Sequence, residues 1–141
     1  MQIDFSDEQR IFRKTIRDFA ENEVAPLVDN AEKNEEFPRE LLPKLGELGY
    51  LGVVYPIEYG GAGAGKVEEC IFVEELGRVC VGITGGIMIQ SGMATSSIFD
   101  YGSDYLKQEY LVPAIKGNKI AAFALSEPNA GSDVASIECK A

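Results

Sequence analysis

The chain has 141 residues with a formal net charge of −10, and 45% of its residues are hydrophobic. A unit of this size can bury roughly two thirds of its unfolded surface, which is enough for one core without disulfides or metals. The acidic balance argues against general binding to nucleic acid or to an anionic membrane, because both require a basic protein face.

The first predicted element is an amphipathic helix that starts at a capping box. Ser6 is followed three residues later by Gln9, and apolar residues then recur at helical spacing opposite a basic face. Pro26 is expected to end or kink this helix. A second helix is predicted to begin near Pro38, to bury a row of leucines and to end at Gly49.

A glycine-rich segment, EYGGAGAGK at residues 58–66, precedes the third predicted helix at residues 66–80. The segment does not match a phosphate-binding loop, because Lys66 is followed by Val67 rather than by Ser or Thr. Tight turning is the better explanation for the glycines. The helix is predicted to bury Val67, Cys70, Ile71, Val73, Leu76 and Val79 and to expose Glu68, Glu69, Glu74 and Glu75.

Residues 81–99 are nineteen consecutive residues without a charge. A transmembrane span is disfavoured, because the segment contains four glycines, five hydroxyl residues and Gln90. A helix enclosed by other helices fits the same composition. In such surroundings Gln90 needs a hydrogen-bond partner, which could be backbone, water or a ligand.

Ser103 is predicted to cap a last amphipathic helix, which Pro113 and Gly117 bring to an end. Its predicted apolar side comprises Tyr105, Leu106, Tyr110, Leu111 and Ile115. Residues 120–125 then form an apolar run of strand length, and a second strand is predicted from Val134 onward. Such edge strands have unpaired amides unless another chain or segment covers them.

The three cysteines, Cys70, Cys80 and Cys139, form neither an even disulfide set nor a metal-binding spacing, and the chain has no histidine. Reduced thiols in a cytoplasmic protein are therefore predicted. Cys70 and Cys80 lie in apolar helical patterns and are expected in the core. Without histidine, no nucleophilic triad can be assembled. The N-terminal residues also lack the pattern of a secretory signal or transit peptide.

The most informative stretch is FALSEPNAGSD at residues 123–133. Pro128 removes a backbone donor, and residues 129–132 supply a turn with hydroxyl and amide donors. A strand therefore delivers hydrogen-bond donors into a loop whose small residues let its backbone approach a ligand closely. This arrangement suits a large, planar cofactor that carries phosphates. For this motif alone, an ordinary strand and turn is the alternative.

The motif resembles the segment by which acyl-CoA dehydrogenases hold FAD. Further blocks follow that family in the same order, namely FSDEQRIFRKTIRDFAENEVAP, LGELGYLGVVYPIEYGGAGAG, VEELGR and YGSDYLKQEYLVPAI. The resemblance implies a mainly α protein, with an all-helical N-terminal domain at residues 1–117 and the first strands of a β-domain at residues 118–141. Family members continue through a complete β-domain and a C-terminal helical bundle, so much of the enzyme is expected to lie beyond Ala141.

The resemblance also implies cofactor contacts. The Leu125 backbone and the Ser126 hydroxyl and amide would bond the pyrimidine edge of the flavin, and Phe123 would line the flavin site. Gly131 and Ser132 would meet the pyrophosphate of FAD through short charge-assisted bonds, with Ser132 also close to the acyl-CoA. Ser126 stands where many relatives have Thr, which keeps the hydroxyl.

By the same resemblance, the uncharged helix at residues 81–99 borders the acyl-chain pocket. Met88, Ile89, Gln90 and Gly92 are therefore candidate substrate contacts. Packing in the core is the alternative for each of them.

The implied reaction is α,β-dehydrogenation of an acyl-CoA thioester, with electrons passed to an electron-transfer flavoprotein. The family's glutamate base lies in its C-terminal domain, and no glutamate here matches its motif, so no catalytic residue is assigned and the isolated chain is expected to be inactive. The complete protein is expected to be a homo-oligomer. Two alternatives remain, namely a non-catalytic interaction module or subunit of a split enzyme, and an acyl-CoA oxidase relative. The acyl group is not specified.

Overall fold

Eight α-helices, together with short π-helical and 3₁₀ turns, make up most of the computed structural model, which describes residues 4–140. They are α1 (Asp7–Phe19), α2 (Ala25–Asn34), α3 (Leu41–Glu47), α4 (Lys66–Gly77), α5 (Val81–Met88), α6 (Ala94–Tyr101), α7 (Asp104–Leu106) and α8 (Val112–Ile115). The π-helical turns Ala20–Val24, Ile89–Met93 and Lys107–Leu111 join α1 to α2, α5 to α6 and α7 to α8. Short 3₁₀ turns span Tyr50–Gly52, Ile57–Tyr59 and Val134–Ser136. The expected mainly α fold is confirmed.

Predicted caps define several helix ends. The Gln9 N–H donates to the Ser6 hydroxyl at 3.2 Å, and the Gln9 side chain accepts from the Ser6 N–H at 3.0 Å, so the capping box of α1 is present. Gly49 adopts a left-handed conformation after α3, with φ of 76°. Pro26 neither ends nor sharply interrupts the helical path. It lies in the first turn of α2, where no N–H is required of it, directly after a π-helical turn.

The main core lies where α1, α2, α3, α4 and α5 meet. Its buried apolar residues include Ile16, Phe19, Val24, Leu41, Leu42, Leu45, Leu51, Phe72, Leu76, Ile83 and Ile87. A smaller cluster joins Tyr55 to Leu111 and Ile115, with Phe99 packed edge-on against the Tyr55 ring. The second cluster fixes α8 against the turn that follows α3.

The uncharged segment is helical as predicted, but it is not enclosed on all sides. Ile83, Thr84 and Ile87 are buried, whereas Val81 is 76% exposed and Met93 is 51% exposed. The helix continues beyond the uncharged segment to Tyr101. Small, uncharged side chains tolerate both burial and exposure, so composition alone could not reveal that one face of this helix borders a cleft.

Two predicted helix faces are wrong in part. Cys70 is exposed rather than in the core, and the Glu75 side chain is fully buried rather than solvated. In the last helix, Leu111 and Ile115 are buried, but Tyr105 is 70% exposed. The π-helical turn Lys107–Leu111 inserts one extra residue per turn, which rotates the preceding side chains away from the core that α8 contacts.

The two predicted strands do not form within residues 4–140. Residues 120–126 have no regular secondary structure, and a 3₁₀ turn, Val134–Ser136, occupies the start of the second predicted strand. A strand requires a ladder partner, and the described residues supply only an isolated bridge between Glu127 and Ala130. None of the helices built from the described residues combines the length and apolarity that crossing a bilayer requires.

Candidate functional site

A cleft of about 920 Å³ opens between α4 and the continuous helix formed by α5 and α6. From α4 it is lined by Lys66, Glu69, Cys70, Val73 and Glu74, and from the opposite helix by Met88, Ser91, Gly92, Met93, Ser96, Phe99 and Asp100, with Val54 and Tyr55 between them. Apolar and aromatic side chains with a few polar groups are typical of a small-molecule site.

The polar groups on the α4 side of the cleft are held by ion pairs. Lys66 Nζ donates to Glu69 Oε2 at 2.7 Å, and this hydrogen bond raises the pKa of Lys66. Arg13 Nη2, from α1, donates to Glu74 Oε1 at 2.6 Å. Both carboxylates are therefore oriented by a cation rather than left free at the cleft wall.

Glu75, next to the cleft residue Glu74, is the buried carboxylate of the α1–α4 interface. Arg17 donates two hydrogen bonds to it and Arg13 donates one, and these bonds, led by those from Arg17, lower the pKa of Glu75 to about 2 despite its burial. A carboxylate with so low a pKa is a poor general base at neutral pH. Its geometry is that of a structural ion-pair cluster.

A buried chain of hydrogen bonds leads from the cleft into the helix behind it. The Tyr55 hydroxyl lies 2.7 Å from Thr95 Oγ1. The Thr95 hydroxyl in turn donates to the backbone carbonyl of Gln90 at 3.2 Å. Since Thr95 has a single hydroxyl proton, Tyr55 is the donor in the first bond. Thr95 is fully buried and Tyr55 is 3% exposed, and burial raises the pKa of Tyr55.

The Gln90 side chain is not part of the cleft lining. Its amide nitrogen donates to the carbonyls of Ala114 and Lys119, both at 2.9 Å, and its oxygen accepts from the Ala121 N–H at 2.8 Å. The partner that the sequence required is therefore backbone. Met88 and Gly92, on the same helical path, do line the cleft.

Residues 127–130 of the motif at residues 123–133 form a tight turn. Ala130 N–H donates to the Glu127 carbonyl at 3.2 Å, which closes a β-turn over Pro128 and Asn129. The Glu127 carboxylate also accepts from the backbone N–H groups of residues 138 and 139. These contacts fix the turn that carries the predicted cofactor residues.

The predicted cofactor residues Phe123, Leu125, Ser126, Gly131 and Ser132 are all exposed. Within residues 4–140, the hydroxyls of Ser126 and Ser132 and the N–H groups of residues 125, 126, 131 and 132 make no hydrogen bond to protein. At Gly131 a Cβ would meet no heavy atom of the described chain within 4 Å, so the backbone is open to a neighbour. This donor set fits a cofactor rich in carbonyl and phosphate oxygens.

Several cleft residues are not predictable from the sequence. Tyr55 and Phe99 gave no signal beyond an apolar pattern, and Asp100 follows the uncharged segment without a recognisable motif. Glu69 and Glu74 were assigned to a plain solvent face. The described residues contain no cluster of carboxylate and thiol side chains that would hold a metal ion.

Comparison with known proteins identifies residues 6–118 as a match to the family model described as acyl-CoA dehydrogenase, N-terminal domain. A short-chain-specific acyl-CoA dehydrogenase from Clostridium acetobutylicum is 43% identical over 134 residues, covering 94% of this chain and 35% of the relative.

Solved structures agree with the sequence comparison. An acyl-CoA dehydrogenase complexed with FAD from Bacillus anthracis is 37% identical with a TM-score of 0.87, covering 96% of this chain and 23% of that one. A structure described as the electron transferring flavoprotein of Acidaminococcus fermentans is 32% identical with a TM-score of 0.88, covering 96% and 36%. The chain thus spans about a third of the length of the curated relative above.

Proposed function

Because this chain belongs to the acyl-CoA dehydrogenase family and matches its N-terminal domain, we propose that it forms one wall of the flavin and substrate site of an FAD-dependent acyl-CoA dehydrogenase. The observation that carries the proposal is the exposed donor set of the motif: the N–H groups of residues 125, 126, 131 and 132 and the hydroxyls of Ser126 and Ser132 have no protein acceptor among residues 4–140. The FAD complex of a relative that is 37% identical supports the choice of cofactor.

In this proposal, the motif holds FAD at two places. The Leu125 and Ser126 amides and the Ser126 hydroxyl bind the pyrimidine edge of the ring, where negative charge develops on reduction, and Phe123 contacts the ring system. Fixed donors at that edge favour the reduced cofactor. The amides of Gly131 and Ser132 and the Ser132 hydroxyl bind pyrophosphate oxygens.

The cleft between α4 and the continuous α5–α6 helix is the proposed acyl-chain wall. Met88 and Gly92 line it, and Met88 is 40% exposed to it and to solvent. A flexible thioether adapts to a flexible acyl chain, and a glycine leaves room for it. Ser132 is proposed to lie near the thioester end of the substrate. The side-chain amide of Gln90 is bonded to backbone groups and does not line the cleft. Its expected contact with the substrate remains a prediction.

The proposed reaction removes the α-proton and the β-hydrogen of an acyl-CoA thioester, and FAD, when bound, accepts the β-hydrogen as hydride. No residue of this chain is assigned as the base, so the base must come from the rest of the protein or from a second subunit. We propose an electron-transfer flavoprotein as the acceptor, a homo-oligomeric complete enzyme and a cytoplasmic location. The similarity to the structure from Acidaminococcus fermentans supports the acceptor.

A spectral titration of the full natural protein tests this proposal. The purified protein is expected to be yellow, and anaerobic addition of a saturated acyl-CoA is expected to bleach the visible absorption band of the oxidised flavin. A colourless protein that does not take up added FAD would refute the proposal.

Two alternatives give different results in companion measurements. A non-catalytic interaction module or subunit of a split enzyme would capture a second protein and would gain flavin only in that complex. An acyl-CoA oxidase would release hydrogen peroxide when the acyl-CoA-reduced protein meets oxygen. The proposed dehydrogenase would instead reduce an added electron-transfer flavoprotein.

A further inference from the structure

The side-chain amide of Gln90 is buried, and the residue is 2% exposed. Short polar side chains in helices, such as Ser and Thr, often bond to the backbone of their own helix. Gln90 instead uses all three of its hydrogen bonds on backbone groups outside its helix, at Ala114, Lys119 and Ala121. These partners lie where the chain leaves α8 and starts toward the motif at residues 123–133.

The path between α8 and the motif has few other constraints. Residues 120–126 have no regular secondary structure. Within residues 4–140, their backbone makes one hydrogen bond, from the Ala121 N–H to the side-chain oxygen of Gln90. Lys119 is held by its backbone N–H, which donates to the Pro113 carbonyl at 3.2 Å, and by its side chain, which donates to the Glu109 carboxylate at 2.8 Å and lies over the Tyr110 ring. Ala121 has no such additional hydrogen bond within residues 4–140. Gln90 therefore holds Ala121, which is the last hydrogen-bonded backbone position before the donor set that starts at residue 125.

The backbone of Gln90 is held from the cleft side. Its backbone carbonyl accepts a hydrogen bond from the Thr95 hydroxyl, which itself accepts one from the Tyr55 hydroxyl in the cleft wall. It also lies in the π-helical turn Ile89–Met93, a type of turn that is frequent at functional sites. One residue thus connects the cleft wall to the start of the motif through consecutive hydrogen bonds.

We propose that Gln90 is a positioning residue for the cofactor: its side-chain amide sets the position of residues 119–121, and through them the placement of the donors at residues 125–132. This proposal rests on the proposed function for the identity of the cofactor, but the placement of residues 119–121 does not depend on it.

The test uses the full natural protein and three variants. Gln90→Met keeps the length of the side chain and removes every hydrogen bond, and Gln90→Asn keeps the amide on a chain one methylene shorter. Thr84→Val is the matched control, because Thr84 is another buried polar residue of the same helical path whose hydroxyl bonds only to the Cys80 carbonyl.

Two readouts separate positioning from general stability. We expect Gln90→Met to weaken FAD binding by about tenfold or more, because buried carbonyls and an amide lose their partners, and to change the visible circular dichroism of the flavin. Gln90→Asn should give a smaller change of the same kind, and Thr84→Val should stay within about twofold of wild type at equal unfolding free energy. If Gln90→Met binds FAD as wild type does, with an unchanged flavin spectrum, the cofactor role is overturned.

Hydrogen exchange makes the outcome independent of the flavin. The Ala121 amide is expected to exchange faster in both Gln90 variants than in wild type or Thr84→Val. Unchanged exchange at Ala121 would overturn the positioning role, even if the wild-type protein proved to be a flavoprotein. A wild-type protein without flavin would defeat the proposed function, and Ala121 exchange would still decide what Gln90 does to residues 119–121.

Discussion

Arg17 grips the Glu75 carboxylate with two hydrogen bonds, from Nε to Oε2 and from Nη2 to Oε1, each 2.9 Å long. Arg13 Nε donates a third hydrogen bond to Glu75 at 2.6 Å, and Arg13 Nη2 donates to Glu74. The Arg17 guanidinium binds both oxygens of one carboxylate, and the Arg13 guanidinium bridges two carboxylates, so the pairing fixes the rotation of α1 against α4. Because Glu74 lines the cleft, the same cluster links the helix interface to the candidate site.

Glu75→Gln is expected to lower the free energy of unfolding by about 3 kcal/mol, because it removes a buried charge that Arg13 and Arg17 bond and that Arg78 approaches at 3.7 Å. Urea denaturation followed by circular dichroism measures the change. Glu74→Gln is the control: the Glu74 side chain is 54% exposed and bonds only Arg13, so its loss should cost less than about 1 kcal/mol. If the two variants lose the same unfolding free energy, burial of the Glu75 carboxylate does not strengthen its contribution to stability.

Acid should remove the contribution of Glu75 over a defined range. Its hydrogen bonds from arginine lower the pKa from 4.5 to about 2, so the stabilisation is complete above pH 4.5 and is lost as the pH falls toward 2. The contribution is roughly 3 kcal/mol, from about 1.4 kcal/mol for each pKa unit. The unfolding free energy of wild type should therefore fall more steeply between pH 4.5 and pH 2.5 than that of Glu75→Gln. Parallel profiles would show that Glu75 does not titrate as described.

Gly117→Ala is expected to destabilise the chain by about 2 kcal/mol or more. Gly117 has a φ of 74°, and a Cβ there would clash with the backbone carbonyl of Leu42. Gly85→Ala is the matched control, because Gly85 lies inside α5 and a Cβ there meets no heavy atom of residues 4–140 within 4 Å. Alanine at Gly85 should stabilise the helix by about 0.5 kcal/mol. Thermal melts of both variants check the opposite signs.

Ser126→Ala tests the proposed flavin contact in the full natural protein. Loss of a hydroxyl that stabilises the reduced ring by about 1 kcal/mol should lower the two-electron reduction potential by about 20 mV. Ser126→Thr retains the hydroxyl and should stay close to wild type. A spectroelectrochemical titration measures both. An unchanged potential in Ser126→Ala would remove Ser126 from the set of flavin contacts.

Sequence patterns predict this structure correctly where it depends on local chemistry. The box of Ser6 and Gln9, the left-handed Gly49 and the cap at Ser103 all act within a few residues of the chain. Helix type is also a local property, so the mainly α fold followed. The motif at residues 123–133 was recognisable because its turn and its donors are adjacent in sequence.

Errors arose where a residue's environment depends on distant elements. Glu75 was placed on a solvent face, since nothing near it in sequence reveals that Arg13 and Arg17 of another helix surround it. Tyr105 was placed on an apolar face because periodicity does not show a π-helical turn. The predicted strands were apolar runs, but a strand also needs a neighbour that residues 4–140 do not provide.

The helical class, the helix caps and the family can be predicted from the sequence, because they rest on periodicity and on short motifs whose physics is local. Which polar side chains are buried, and which groups they bond, depends on how the helices pack. Gln90 shows the difference: the sequence required a partner for its amide, and only the packing of α8 against the π-helical turn supplied the carbonyls and the N–H that satisfy it.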